Sequence, residues 1–206
     1  MTRRRVGILV FPEVEVLDFC GPFEVFSVTR LDEERRRQDP SPYEVLIIAQ
    51  HSSVVAATGG LKVVPQHSLE DCPPLDVLVV PGGWGTRREM MNERLIAWLR
   101  EKARQITTLT SVCTGSLLLG KAGLLDGRRA TTHWRVLEEM RGLFPAVTVI
   151  QDQHVVEEGD LLTSAGISAG IDMTLRVVAR HHGDAVARAT ARYMEYPFPE
   201  DNRRRV

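Results

Sequence analysis

Short runs of β-branched residues alternate along this chain with longer segments whose apolar residues recur at helical spacing. This alternation is typical of βαβ units, in which consecutive strands lie side by side in a parallel sheet. The runs that predict core strands are residues 6–11, 43–49, 77–80 and 107–112. Gly21-Pro22 is expected to open a helix that continues to about Arg37, because proline suits the first helical position. The pattern therefore predicts an α/β fold with a mostly parallel central sheet.

The chain has 206 residues, the size of one large α/β domain, and no internal repeat or low-complexity linker divides it. We expect a single domain over residues 1–206. An antiparallel hairpin is predicted where runs 54–57 and 61–64 flank Thr58-Gly59-Gly60. The remaining predicted elements are a helix capped by Asn92 and ending near Gln105, a helix over 115–122, strands over 147–150, 154–157 and 161–164, and helices over 168–182 and 184–194.

Charge and cysteine content exclude several classes of protein. The formal net charge is -1, and acidic and basic residues are interspersed, which argues against a nucleic-acid partner. Three widely spaced cysteines describe neither a disulfide framework nor a zinc site. The apolar run near the start ends at Pro12 and Glu13, and no later stretch reaches the roughly 18 apolar residues of a membrane span. We expect a cytoplasmic protein with no membrane partner.

The segment 109–116, LTSVCTGS, passes from a predicted strand into a predicted helix with no spacer. Ser111 and Gly115 are small residues on either side of Cys113, the spacing of a nucleophile elbow. A thiol at such a turn meets the N–H groups and the positive end of the helix, which lower its pKa and favour the thiolate. Cys113 is therefore the candidate nucleophile, and a structural cysteine buried at a strand end is the alternative.

A nucleophile that attacks a polarised carbon needs donors for the charge that develops on the substrate. The N–H of Thr114 is one candidate donor, and the Gly82-Gly83 turn after strand 77–80 is the other. Together they would form an oxyanion pocket facing Cys113. The alternative is that Pro81-Gly82-Gly83 is an ordinary tight turn.

Six segments of the chain, in this order, resemble the DJ-1/PfpI superfamily, and within it the isonitrile hydratase branch and the amidotransferase-like domains of AraC-type regulators. These segments are ILVFP (8–12), LDFCGP (17–22), VVPGG (79–83), SVCTG (111–115), AGLLDG (122–127) and RATTHW (129–134). The resemblance implies a flavodoxin-like three-layer sandwich, a homodimer, and an acidic residue beside the elbow cysteine. Asp18 occupies the position of that acid, although a helix cap or a solvated loop acid is the alternative.

The sequence departs from other branches of this superfamily. Thr114 stands where peptidase-like members carry histidine, so the usual base for proteolysis is missing. The late histidines, His181 and His182, are expected at a solvated helix end, which argues against glutaminase chemistry. His133 is expected either to line the cleft or to be a structural histidine in a turn. Trp84 and Met90 are expected to wall the substrate pocket or to pack as loop or dimer contacts.

From the resemblance and these departures we predict that the protein hydrates an isonitrile, a small electrophilic substrate, to an N-substituted formamide. Cys113 would attack the terminal carbon, with proton transfer by Asp18 or Thr114. No metal or organic cofactor is expected, because the thiolate is the only strong nucleophile required. A ligand sensor, a redox-responsive thiol protein and a small-aldehyde hydrolase of the glyoxalase or deglycase type remain alternatives. AraC-type regulators continue into a DNA-binding region, which is not expected here because the sequence stops at Val206.

Overall fold

The computed structural model of the protein describes residues 3–205, which form eleven strands and seven α-helices. The strands are β1 (Arg4–Leu9), β2 (Tyr43–Ala49), β3 (Val55–Ala56), β4 (Lys62–Val63), β5 (His67–Ser68), β6 (Val77–Val80), β7 (Thr108–Ser111), β8 (Arg129–Ala130), β9 (Thr148–Val149), β10 (Val155–Glu158) and β11 (Leu161–Ser164). The helices are α1 (Val16–Val28), α2 (Thr86–Glu89), α3 (Glu93–Ala103), α4 (Gly115–Lys121), α5 (Leu137–Leu143), α6 (Ala169–His182) and α7 (Asp184–Tyr193).

Seven of the strands form the central sheet, in the order β10-β11-β7-β6-β1-β2-β5. Every neighbouring pair is parallel except β10 and β11, which are antiparallel. The prediction of a mostly parallel sheet is confirmed. The predicted hairpin is also confirmed, since β3 and β4 pair antiparallel outside the main sheet.

Helices cover both faces of the sheet and complete a three-layer sandwich. Helices α1, α6 and α7 pack together in one layer, and α3 and α4 pack in the other. The strand between these layers with the deepest burial is β6, whose four residues are fully buried. Burial of each such aliphatic side chain contributes about 1.5–3 kcal/mol to folding, so the centre of the sheet is a rigid platform for the loops at its edges.

The first helix differs from its prediction at both ends. It begins at Val16 and ends at Val28, so Pro22 lies inside the helix and not at its first position. The loop that follows supplies the reason for the early end. Arg30 donates to the carbonyls of Ser27 and Thr29, and Arg36 donates to that of Val28. These arginines satisfy carbonyl groups that have no partner within a helix end.

Several short elements were not predicted, namely β5, β8, α2, α5 and the 3₁₀ turn Trp134–Val136. Each is too short to show a clear period in the sequence, so its conformation is set by the surrounding tertiary structure. No helix in the described residues is long and apolar enough to cross a membrane.

Candidate active site

Cys113 lies at the turn between β7 and α4, at the carboxyl edge of the parallel sheet. Its φ angle is 55°, in the left-handed region that non-glycine residues rarely adopt. Hydrogen bonds hold this conformation in place. The Cys113 N–H donates to Ala165 O at 3.1 Å, and the Cys113 carbonyl accepts from Ser116 Oγ at 3.1 Å and from Thr132 Oγ1 at 3.0 Å.

The glycines around this turn permit contacts that a side chain would block. A Cβ atom on Gly115 would lie 2.0 Å from the carbonyl oxygen of Val80. One on Gly82 would lie 2.5 Å from both the backbone nitrogen and Oγ1 of Thr114, and 3.0 Å from Asp18 Oδ2. The close return of α4 onto the sheet therefore requires glycine at 115, and the approach of the β6 loop to the site requires it at 82.

Asp18 extends from the first turn of α1 into the same region, and its side chain is fully buried. Asp18 Oδ2 accepts a 2.8 Å hydrogen bond from the Gly82 N–H. Asp18 Oδ1 is buried and has no hydrogen-bond partner in the described part of the chain. The carboxyl nevertheless lies beside the Cys113 thiol, since each group affects the pKa of the other.

Burial raises the pKa of the Asp18 carboxyl to about 8. The Gly82 N–H opposes this shift, the negative charge of Glu15 adds to it, and a contact with the Cys113 thiol opposes it slightly. At pH 7 the Asp18 carboxyl is therefore mostly protonated. Because Oδ2 already accepts the Gly82 hydrogen bond, the unpartnered Oδ1 is the oxygen suited to hold that proton.

Burial also raises the pKa of the Cys113 thiol, and the adjacent Asp18 raises it further. The N–H groups of Thr114 and Ile167 and the hydroxyl of Thr114 face the sulfur and oppose this shift. The prediction of a lowered thiol pKa is therefore wrong. The helix N-terminus acts in the predicted direction, but loss of hydration outweighs it. The site at rest holds a thiol next to a protonated carboxyl group.

The predicted oxyanion donors at Gly82 and Gly83 are both engaged within the protein. The Gly82 N–H donates to Asp18, and the Gly83 N–H donates to Thr114 Oγ1 at 3.0 Å. Neither N–H group is therefore free to act as an oxyanion donor in this structure, although Gly83 does line the cavity above Cys113. The two glycines position the acid and the threonine instead. The N–H groups that face the sulfur belong to Thr114 and Ile167.

A cavity of about 290 Å³ opens above Cys113. It is lined by Glu15, Gly83, Trp84, Arg87, Cys113, Thr114, His133, Arg135, Val136 and Ile167. The structure thus brings the predicted residues Trp84 and His133 to the wall of the cavity. Met90 is not among the lining residues and packs against the hydrophobic core.

His133 lies on the cavity wall and also has a structural contact. Its Nδ1 accepts from the backbone N–H of Arg135 at 3.3 Å, and its ring packs against Gly166, where a Cβ atom would lie 2.2 Å from Cδ2. Partial burial, followed by the charges of Arg135 and Arg204, lowers the pKa of His133. The imidazole is therefore uncharged at neutral pH, and both interpretations of this residue from the sequence hold in part.

Sequence reasoning missed Ile167, which lies in the loop between β11 and α6. Its φ angle is 54°, a strained conformation for a β-branched residue. This conformation turns the Ile167 N–H toward the Cys113 sulfur. One signal in the sequence was available. Because β11 neighbours β7 in the sheet, Gly166-Ile167-Ser168 forms a second strand-to-helix turn beside the elbow.

The late histidines lie at the opposite edge of the sheet from Cys113. His181 Nδ1 lies 3.1 Å from the hydroxyl of Tyr43, and His181 Nε2 lies 3.4 Å from that of Thr108. Both partners are at the starts of their strands, whereas Cys113 follows the end of β7. The expectation of a solvated helix end is wrong for His181, since burial lowers its pKa to about 4. Within residues 3–205 no group of three or more His, Cys, Asp or Glu side chains has the arrangement of a metal site.

A three-layer α/β sandwich with a cysteine at a strand-to-helix turn, facing a buried acid, defines a flavodoxin-like protein with a candidate thiol active site. Residues 4–180 match the model of the DJ-1/PfpI family. The chain belongs to the DJ-1/PfpI family.

Two curated relatives represent the two branches that the motifs resemble. The chain is 38% identical over 197 residues to an isonitrile hydratase of Pseudomonas putida, covering 95% of this chain and 80% of that protein. It is 32% identical to an HTH-type transcriptional regulator of Pseudomonas aeruginosa, covering 87% of this chain and 51% of the regulator. The chain thus spans about half of the regulator and most of the hydratase.

Solved structures agree with the fold. A ThiJ/PfpI family protein from Pseudomonas syringae superposes with a TM-score of 0.82 at 31% identity, covering 98% of this chain and 79% of that chain. Drosophila melanogaster DJ-1beta superposes with a TM-score of 0.76 at 19% identity, covering 95% and 99%. The second likeness concerns the fold alone.

Proposed function

We propose that the protein hydrates isonitriles to N-substituted formamides, with Cys113 as nucleophile and Asp18 as general acid. The observation that carries this proposal is the buried carboxyl of Asp18, whose pKa of about 8 keeps it protonated beside the Cys113 thiol. The 38% identity to an isonitrile hydratase supports the same reaction. An isonitrile suits this pair because its terminal carbon carries a lone pair that accepts a proton. Once protonated, the same carbon is electrophilic and accepts a nucleophile.

In the first step, the carboxyl of Asp18 gives its proton to the terminal carbon of the isonitrile as the Cys113 sulfur adds to that carbon. The thiol proton passes to the Asp18 carboxylate, so the acid is restored. One C–H bond and one C–S bond form, and the S–H bond breaks. The product is a thioimidate, in which the former isonitrile carbon is bonded to nitrogen, hydrogen and the Cys113 sulfur.

In the second step, water adds to the thioimidate carbon and the C–S bond breaks. The sulfur regains a proton, and the released imidic acid becomes the formamide by moving one proton from oxygen to nitrogen. The net reaction consumes one isonitrile and one water. Asp18 Oδ1, which has no partner among the described residues, is available to orient that water.

The cavity above Cys113 has both charged and apolar lining residues. We assign the substituent of the isonitrile to the apolar ones, Trp84, Val136 and Ile167. The Thr114 hydroxyl is held by the Gly83 N–H and by the hydroxyl of Thr86, and it faces the sulfur. We assign Thr114 to orienting the thiol and, with its N–H, to stabilising the negative charge that develops on sulfur when it leaves.

The redox-responsive alternative finds less support in this geometry. Sensor thiols are exposed and ionised, because the thiolate is the form that peroxide oxidises. Cys113 is buried, with 6% of its surface exposed, and its pKa is raised. No observation in the described residues favours the small-aldehyde hydrolase over hydration.

The test is direct. Purified protein is mixed with a series of alkyl and aryl isonitriles, and formamide formation is followed by proton NMR. We expect turnover that is lost in Cys113→Ala, with the thioimidate detected as a mass increase on the Cys113 peptide under rapid acid quench. Absence of Cys113-dependent formamide across the series would refute the proposal.

We further propose that the protein acts as a homodimer, as the resemblance implies, and in the cytoplasm, whose reducing conditions suit its three free cysteines. Trp84, a residue of the cavity wall, is 71% exposed, and aromatic residues in such positions are enriched at interfaces between subunits. Light scattering combined with size-exclusion chromatography tests the dimer, which predicts about twice the chain mass of 23.1 kDa.

A further inference from the structure

Residues 201–205 lie along the segment that precedes and begins β10. His154 N–H donates to Asn202 O, and Arg204 N–H donates to Asp152 O, both at 2.8 Å. The Asn202 side-chain amide pairs with both backbone groups of Val155, at 3.0 and 2.7 Å. These hydrogen bonds hold residues 201–205, here called the tail, against the edge strand of the sheet. They therefore limit the positions that the tail's side chains can occupy.

Arg204 turns inward from this tail. Its Nη2 donates to Thr131 Oγ1 at 2.6 Å and to the Thr132 carbonyl at 3.1 Å, and its Nε donates to the Gln151 carbonyl at 2.6 Å. Thr131 and Thr132 are fully buried. Charge-assisted bonds from one planar guanidinium to adjacent groups fix their direction as well as their position. Arg204 thus sets the path of the backbone that leads into His133.

Thr132 connects the segment that Arg204 holds to the turn at Cys113. Its hydroxyl donates to the carbonyl of Cys113 at 3.0 Å. That carbonyl and the N–H of Thr114 belong to one planar peptide unit, in which the two groups point in opposite directions. Holding the carbonyl on Thr132 therefore aims the Thr114 N–H, and this N–H faces the Cys113 sulfur.

We propose that Arg204 is a positioning residue for the nucleophile, acting through Thr132 and the peptide unit between Cys113 and Thr114. It touches neither the sulfur nor the cavity. Its effect is to keep the Thr114 N–H directed at the sulfur, where it stabilises the thiolate formed on reaction or departure. The alternative is that Arg204 only attaches the tail and that the elbow is rigid without it.

The test measures covalent labelling of Cys113 by iodoacetamide, in which the sulfur forms a bond to carbon, iodide leaves and the thiol proton goes to solvent. Labelling does not depend on isonitriles being the substrate, so its outcome is separate from that of the proposed function. Rates are read on the Cys113 peptide by mass spectrometry, with the Cys72 peptide of the same sample as internal reference. Arg204→Gln is expected to slow Cys113 labelling about tenfold and to leave Cys72 unchanged.

Three further variants distinguish positioning from attachment of the tail. Arg203→Gln changes an exposed neighbour whose side chain makes no hydrogen bond among the described contacts, and it should label at the wild-type rate. Thr132→Val should slow labelling as Arg204→Gln does, and Thr132→Ser, which keeps the hydroxyl, should restore it. The double variant Arg204→Gln with Thr132→Val should be no slower than the slower single variant, because both act through the same peptide unit.

Unchanged Cys113 labelling in Arg204→Gln would overturn the proposal. Faster labelling would do so too, because it would mean that the tail only shields the thiol. Equal slowing in Thr132→Ser and Thr132→Val would also contradict it, since the hydroxyl would then not be the connection. If Arg204→Gln fails to fold, Arg204→Lys takes its place: it keeps the charge but loses the planar guanidinium that bonds both Thr131 and Thr132, so it should also slow Cys113 labelling, and an unchanged rate would overturn the proposal.

Discussion

Asp18 and Asp172 lie in the first turns of two helices that pack together, and both side chains are almost fully buried. Asp172 Oδ2 lies 3.0 Å from His154 Nε2 and 3.2 Å from Arg205 Nη2, and it accepts from the hydroxyl of Tyr196 at 3.1 Å. Asp18 accepts a hydrogen bond from the Gly82 N–H and lies against the uncharged Cys113 thiol, and its charged neighbour Glu15 has the same sign.

The difference lies in how each burial is compensated. Around Asp172, the guanidinium of Arg205 and the hydroxyl of Tyr196 compensate for the burial of the carboxyl group. Around Asp18 no cation among residues 3–205 does so, and the carboxyl keeps its proton at neutral pH. Asp172, which has a counter-charge, therefore stabilises the fold. Asp18, which has none in the described chain, is instead suited to donate a proton. Four substitutions test this contrast.

The largest effect is expected for Asp18→Asn. The amide can still accept from the Gly82 N–H, but it cannot supply the proton of a carboxylic acid. Isonitrile hydration should fall by about 10²–10³-fold. The free energy of unfolding at pH 7 should stay the same or rise, because no buried charge is removed from a favourable pair. A variant that retains full hydration activity would show that the proton comes from elsewhere.

The second largest effect is expected for Gly82→Ala, which disturbs the hydrogen bond from the Gly82 N–H to Asp18 Oδ2. In Gly82→Ala, the new methyl group would press on Thr114 and on Asp18 Oδ2 at the distances given above, so the acid and the threonine must move. We expect hydration to fall by about 30-fold, since small displacements at a reacting centre are costly. Gly142→Ala is the matched control, because no heavy atom in the described part of the chain lies within 4 Å of its Cβ position. It should keep full activity.

Asp172→Asn should change stability more than chemistry. The substitution leaves His154 and Arg205 without their carboxylate, and we expect the free energy of unfolding to drop by about 1–3 kcal/mol. Urea denaturation measures this drop beside Asp18→Asn, which should show none. Equal destabilisation by the two substitutions would remove the contrast between the two aspartates.

The smallest effect is expected for Glu15→Gln. The negative charge of Glu15 disfavours ionisation of Asp18, so its removal lowers the Asp18 pKa. Because the protonated acid is the active form, hydration should be lost on raising the pH through the Asp18 pKa, and this loss should begin at lower pH in the variant. We expect a shift smaller than about one pH unit. Glu13→Gln is the control, since Glu13 is exposed and pairs with Arg88; its pH profile should match the wild type.

Much of the fold could be predicted from the sequence, because the central strands are buried on both faces and show as continuous apolar runs. The strand β6 was located in this way, the turn at Cys113 was located from the small residues Ser111 and Gly115 on either side of it, and the place of Asp18 came from the family resemblance. The start of α1 was missed because Pro22 is a strong marker of a first helical position, whereas packing against α6 extends the helix before it.

The chemistry of the site was harder to predict, for a physical reason. A pKa depends on the whole environment of a group, and the raised values at Cys113 and Asp18 come first from burial. The partners of the Gly82 and Gly83 N–H groups depend on loops that meet only in the folded chain. Ile167 faces the Cys113 sulfur and Arg204 contacts Thr132 from distant parts of the sequence, and no local pattern indicates such contacts.

The most direct test of the account is the titration of the Asp18 carboxyl itself. Carbon-13 NMR of protein labelled at aspartate carboxyl carbons, with the Asp18 signal assigned by its absence in Asp18→Asn, follows the protonation of this one group. We predict a midpoint near pH 8, with the carboxyl mostly protonated at pH 7. A midpoint near 4, the ordinary range for aspartate, would contradict it, because Asp18 would then hold no proton to give at neutral pH.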